Sequence, residues 1–229
     1  MPNVDLRQTP LRDLNQTLHH LRPDTNETHW LIVNPDGRHA IAAGLDAAIG
    51  IEIEGNVGYY CAGMNKQANV VIKGNAGVGV AENMMSGVVH VRGDASQSAG
   101  ATAHGGLLVV DGNAGARCGI SMKGVDIVVK GSIGHMSAFM AQAGTLTMLG
   151  DAGEALGDSL YEAKLFVRGM VKSLGADCVE KPMRDEHREL LHTKLKAAGL
   201  NGEIDIGEFK RYGSARTLYH FHVDNAGAY

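Results

Sequence analysis

Between Gly55 and Arg168 the chain repeats itself every 19 residues, six times, with no insertion or deletion. The segments open at Gly55, Gly74, Gly93, Gly112, Gly131 and Gly150. A fixed period near 20 residues means that each unit is one small structural element. Such a unit buries its apolar face only by stacking on its neighbours. The chain is thereby restricted to a solenoid, and the rest of its 229 residues are what covers the two ends.

Positions are counted here from the leading glycine of each segment. Position 2 is Asn56, Asn75, Asp94, Asn113, Ser132 and Asp151. Position 4 is glycine except at Ser96, and position 8 is always Ala or Gly. Positions 16 and 18 are apolar throughout, from Val70 and Ile72 to Leu165 and Val167. The residue between them varies: Val71, His90, Val109, Val128, Thr147, Phe166. This alternation predicts a strand with one inward face. Glycine followed by Asn or Asp predicts a turn with positive φ and side-chain-to-backbone hydrogen bonds. The small position 8 predicts a close approach of the opposite wall. Aromatics are only 5% of the chain against 44% hydrophobic residues, so the core must be built from small aliphatics. The expected fold is all-β: a right-handed parallel β-helix of about seven 19-residue coils, with short helical caps at both ends. Six coils spaced ~4.8 Å apart make a rod of roughly 29 Å. Right-handedness is the default for parallel crossovers.

Three regions follow. Residues 1–36 are an N-terminal cap, with a helix opening at Thr9-Pro10 and Leu11, Leu14, Leu18 and Leu21 on one face. His29–Val33 reads as a strand, and Asn34-Pro35-Asp36-Gly37 as a turn. Residues 37–175 are the β-helix. Ile49, Ile51 and Ile53 form the strand of an imperfect first coil, with Glu52 and Glu54 pointing outward rather than converging, and Gly169–Gly175 begin a last, partial coil. Residues 176–229 are a C-terminal helix and interface tail. The helix runs over 183–198, apolar at Leu190, Leu191, Leu195 and Ala198, with Gly199 as its cap. The tail holds Phe209, Tyr212, Tyr219, Phe221 and Tyr229 with Arg211 and Arg216, a composition found in interface cores.

The chemistry-bearing residues form no recognisable site, and no catalytic, cofactor-binding or metal-ligating residue is assigned. Gly74-Asn75-Ala76-Gly77-Val78-Gly79 has the look of a phosphate loop, but no helix pattern follows it. Cys61 and Cys118 share position 7 three coils apart, about 14 Å, too far for a disulfide. Position 12 stacks Lys66, Met85, His104, Lys123, Gln142 and Tyr161, a ladder that faces solvent or a partner, the other reading being a catalytic pair of His104 and Lys123. His220 and His222 are two ligands at most, too few for a metal site. A net charge of −4 marks no nucleic-acid binder. No apolar run approaches ~18 residues and the start lacks a signal-peptide pattern, so a cytoplasmic protein without membrane or nucleic-acid contacts is expected.

The G-x-x-G-x-x-x-G opening, unbroken at Gly112/Gly115/Gly119 and Gly150/Gly153/Gly157, resembles the GXGXG β-helix family. That domain closes the large subunit of glutamate synthase and occurs in the C subunit of formylmethanofuran dehydrogenase. The likeness covers roughly residues 37–175; Ser96 at position 4 and Ala62, Ala81 and Ala138 at position 8 depart from it. With the tail FKRYGSARTLYHFHVDNAGAY, the chain is similar to the small stand-alone GXGXG subunit of N-methylglutamate synthase, a methylamine–glutamate N-methyltransferase. The resemblance implies a right-handed β-helix without catalytic residues of its own. It implies a scaffold in an FMN-dependent hetero-oligomer that turns methylamine and L-glutamate into N-methyl-L-glutamate and ammonia. The implied partners are a glutamine-amidotransferase-like subunit and an FMN-binding glutamate-synthase-like subunit, the latter also holding an iron–sulfur cluster. The alternatives are the C-type subunit of a formylmethanofuran dehydrogenase or formyltransferase–hydrolase complex, and a β-helix enzyme with its own groove site.

Overall fold

The structure is a computed structural model, and it describes residues 1–22, 25–200, 202 and 204–216. Nine strands run parallel in chain order: β1 (Asn3–Asp5), β2 (His29–Val33), β3 (Gly50–Glu54), β4 (Asn69–Ile72), β5 (Val88–Val91), β6 (Leu107–Val110), β7 (Lys123–Val129), β8 (Ala143–Met148) and β9 (Lys164–Val167). From β3 onward the register advances by one repeat per strand. Ile51 faces Val70, and the column continues through Val89, Leu108, Ile127, Leu146 and Leu165. A second column of parallel bridges joins Val57, Ala76, Ala95, Ala114, Ile133, Ala152 and Val171. Two walls stacked in the same register make a parallel β-helix. Its interior is aliphatic, with Ile51, Val70, Val89, Leu108, Ile127, Leu146 and Leu165 all essentially excluded from solvent.

The turn after each strand is held by a ladder of position-2 side chains. Asn56 Oδ1 accepts from Asn75 N–H at 2.8 Å, Asn75 Oδ1 from Asp94 N–H at 2.8 Å, and Asp94 Oδ1 from Asn113 N–H at 2.7 Å. Asn113, Ser132 and Asp151 carry it on to Met170 N–H. The leading glycines serve this ladder by their size, not by their torsions. Only Gly55 among the six has positive φ. A Cβ on Gly93, Gly112 or Gly131 would lie 2.2, 2.3 or 2.4 Å from the ladder oxygen beneath it. The positive φ expected there is found elsewhere. Positions 6, 8 and 10 are left-handed in all six coils, for example Tyr60, Ala62 and Met64, or Met136, Ala138 and Met140. Position 8 is small because it faces the packed interior: Ala62, Ala81 and Ala138 are fully buried, and a Cβ on Gly100 would lie 2.7 Å from Ile127 Cδ1, whereas the equally left-handed positions 6 and 10 carry Tyr60, Met64 and Arg117. Along this bend wall the N–H groups alternate in direction. Tyr60 N–H bonds Val78 O in the next coil, and Ala81 N–H bonds Cys61 O in the preceding one.

At the N-terminal end α1 (Leu11–His19) buries Leu14 and Leu18 against the first coil. Asn15 clamps that coil's backbone, donating to Ala40 O at 2.9 Å and accepting from Ala42 N–H at 3.0 Å. The helix begins one residue later than expected, with Pro10 rather than Thr9 in the capping place, because Thr9 N–H bonds Asp5 O. Strand β1 had no strand pattern in the sequence; it exists because β2 offers it a free edge.

At the other end the chain reverses. β10 (Cys178–Lys181) and β11 (Lys210–Ser214) pair antiparallel with each other, and β11 pairs antiparallel with β9. Between them α2 (Asp185–Ala197) ends at Gly199, whose φ of +79° supports the expected cap. This helix does not plug the rod's end but covers it from the side. Leu191, Leu195 and Ala198 pack with Val109, Val128, Phe166 and Phe209 on the outer face of the sheet. Position 17 is therefore not uniformly solvent-facing: Val109, Val128, Thr147 and Phe166 are buried.

Candidate interaction surfaces

The interior is filled by aliphatic side chains, so chemistry is confined to the outer faces and the ends. On the strand side, position 19 supplies Lys73, Arg92, Asp111 and Lys130, because a residue just past the strand turns outward. Asp111 accepts from Lys130 Nζ at 2.7 Å, from His90 Nε2 at 2.8 Å and from Arg92 Nη1 at 3.2 Å. Burial pushes the Asp111 carboxyl up, but the hydrogen bonds from Lys130 and His90 outweigh it and hold the group below 3.8. Glu52 and Glu54 do point outward. They also converge, contrary to the expectation from sequence: both accept from Lys73 Nζ at 2.8 Å. The hydrogen bond from Lys73 lowers Glu52 and the two carboxylates raise Lys73. A carboxylate pair held ionised on a shared ammonium is suited to structure rather than to proton transfer. Further along, Asp126 joins Thr145 Oγ1 at 2.6 Å to Lys194 of α2 at 2.8 Å and pins the helix to the sheet.

The remaining residues singled out in the sequence fall apart as a site. The glycines from Gly74 to Gly79 form no anion cradle, since the N–H groups of Asn75, Ala76, Gly77 and Gly79 are all bonded to neighbouring coils. Cys61, Cys118 and Cys178 are buried free thiols, and desolvation pushes the first two up to about 12. In the position-12 ladder Lys66 pairs with Asp46, while His104 and Lys123 both stand exposed to solvent. His220, His222, Tyr219, Phe221 and Tyr229 lie outside the described residues. Of the tail that is described, Phe209 and Tyr212 are buried in the chain's own clusters, and Arg216 pairs with Asp177. These two aromatics serve the chain's own closure, a role composition could not distinguish from an interface. Among the described residues no group of three or more His, Cys, Asp or Glu side chains could hold a metal ion. No helix among them is long and apolar enough to cross a membrane.

The bend wall carries the opposite chemistry. Tyr59, Met64, Val78 and Met85 are between 46% and 54% exposed on or beside the first two repeats of that wall, and Met140 is 51% exposed on the fifth. Tyr59 stacks on His39 with ring centroids 3.8 Å apart, which fixes its orientation. The shape of the bend explains the exposure: position 7 turns inward with Cys61, Val80 and Ala99, which leaves Tyr59 and Val78 at position 5 and Met64 at position 10 on the surface. No periodic signal marks these residues, because each coil fills those positions differently.

No family model matches the sequence. The chain is 61% identical, over its full 229 residues and the full length of the relative, to the curated Protein GlxC of Rhizobium meliloti strain 1021. The match spans both caps as well as the repeats.

Proposed function

The chain belongs to the GlxC family, and on that premise we propose that it is the non-catalytic scaffold subunit of a glutamate-synthase-like, FMN-dependent complex. The reaction proposed for the complex is that of N-methylglutamate synthase, methylamine and L-glutamate giving N-methyl-L-glutamate and ammonia. The chain would bridge a glutamine-amidotransferase-like subunit and an FMN-binding synthase subunit in the cytoplasm, with flavin and iron–sulfur cluster held by the latter. The observation that carries this reading is the exposed apolar group Tyr59, Met64, Val78 and Met85 on a rigid wall. Large apolar side chains held in water on a stiff support are the raw material of an interface, and methionine adapts to its partner. The charges of the strand side, already engaged with one another, fit a face kept solvated.

The test is recovery of the tagged chain from its native cell. Two larger subunits with flavin absorbance should co-purify. Replacing Tyr59, Met64 and Val78 together by Ser should cut that recovery at least tenfold with the β-sheet circular dichroism kept. A lone monomer with activity of its own would overturn the proposal.

A further inference from the structure

The C-terminal end of the sheet gathers three cations, Lys164, Lys181 and Arg211, that form no ion pair among the described residues. β11 lies between β9 and β10, with Arg211 opposite Phe166 on one side and Lys181 on the other. Side chains directly opposite on neighbouring strands share a face. Phe166 points to the outer face, beneath α2. Arg211 and Lys181 therefore project there too, as does Lys164, two residues before Phe166. A Cβ on Gly213 would stand 3.8 Å from Arg211 Nη1 and 4.0 Å from Lys181 Cε, so the two arms lean over one glycine. Lys164, Lys181, Arg211, Gly213 and Ser214, with Glu162, line a cleft of about 560 Å³.

Like charges set opposite each other across strands destabilise a sheet. Several other lysines of this chain are paired: Lys73 with Glu52 and Glu54, Lys172 with Glu154, Lys210 with Glu180. Lys164, Lys181 and Arg211 form no ion pair among the described residues, and Arg211 Nε donates to the Pro182 carbonyl at 3.1 Å. Of the nearby acids, Asp177 pairs with Arg216, Glu186 lies beside Arg184 and His187 and also favours the charged form of Arg211, and Glu162 lines the cleft itself. The cations share one field. Desolvation first, and then Arg211, Lys164 and Arg184, disfavour the charged form of the buried His187.

We propose that this cleft binds a small phosphate-bearing molecule, with the Arg211 guanidinium as a two-pronged donor and Lys181 and Lys164 as flanking charges. A guanidinium fork matches two phosphate oxygens, and lysine acts as a point charge. Three cations suit a dianion better than a single carboxylate. The volume lies in the range of small-molecule sites. The inference stands on these residues and does not depend on the scaffold reading.

The full chain should be titrated by calorimetry with inorganic phosphate and with pyrophosphate at fixed ionic strength. Saturable one-to-one binding is expected, at least tenfold weaker in Lys181→Gln and in Arg211→Lys. The second variant keeps the charge and removes the fork. Lys181→Gln should melt no lower than the parent in phosphate-free buffer, because it relieves repulsion. Should Arg211→Lys misfold, the Lys181→Gln comparison decides alone. Affinity unchanged in Lys181→Gln, non-saturable heats, or tighter binding of a glutamate-rich peptide than of pyrophosphate would overturn the proposal.

Discussion

The strand wall and the bend wall of the same coil are bonded to their neighbours at the same 19-residue spacing, yet they are built by opposite rules. On the strand wall the backbone is extended, which any L-residue adopts, and β-branched residues such as Val70, Ile72, Val89 and Val91 fill it. On the bend wall every second residue from position 6 to position 10 is left-handed, and in most coils an L-residue occupies it. Each such residue costs about 1–2 kcal/mol relative to a right-handed one. The strand wall suits its own sequence locally; the bend wall is imposed on its sequence by the coils above and below. Glycine, the residue most often associated with positive φ, is concentrated at neither place. It sits at the turn between the walls, where space is what is scarce.

That contrast is tested most severely at Gly131. Its Cβ would stand 2.4 Å from Asn113 Oδ1 and 2.7 Å from Gly112 O, and backbone cannot give way cheaply inside a stack bonded on both sides. Gly131→Val should destabilise the chain by about 3 kcal/mol or more, read as a loss of the denaturation midpoint. A loss below about 1 kcal/mol would mean that the ladder tolerates a side chain and that the turn is not space-limited.

The period, the inward positions 16 and 18 and the stacking were legible in the sequence because they recur in every coil. The role of the glycines was not. Gly112 and Gly119 look alike in a sequence, but one is small for lack of room and the other has φ +67°. Burial of position 17 was equally hidden, since Val109, Val128 and Phe166 are covered by a helix more than twenty residues further along the chain than β9 begins. The cation cleft escaped for the same reason: Lys164, Lys181 and Arg211 meet only because β11 inserts between β9 and β10. Residues brought together by chain reversal leave no local pattern.

A smaller effect separates the outer faces. Charge stabilises the strand side where apolar groups stand free on the bend side, and Asp111 is the centre of that charge. Its folded pKa lies below the ordinary 3.8, so its contribution is present above that value and is lost as pH falls through the lower, folded one. Asp111→Asn should lower stability by about 1–2 kcal/mol at pH 7, and the gap between variant and parent should narrow as pH falls below 3.8. A gap that persists in acid would show that packing, not charge, is what Asp111 supplies.

The smallest effect is the most direct measure of what the bend wall costs. Met140 is 51% exposed with φ +52°, so its side chain adds little burial while its backbone is strained. Glycine removes the roughly 1–2 kcal/mol left-handed penalty and adds about 0.4–1 kcal/mol of unfolded-chain entropy. Met140→Gly should therefore stabilise the protein by about 0.5 kcal/mol, seen as a higher urea midpoint at unchanged slope. The same replacement on the strand wall, Val71→Gly, should cost about 1 kcal/mol, since extended backbone gains nothing from glycine and loses the packing of a β-branched residue. Opposite signs for one kind of substitution, on the two walls of the β-helix, would locate the strain in the left-handed positions. Equal signs would place it in the stack as a whole, and the two walls would then differ in shape but not in how their sequence is satisfied.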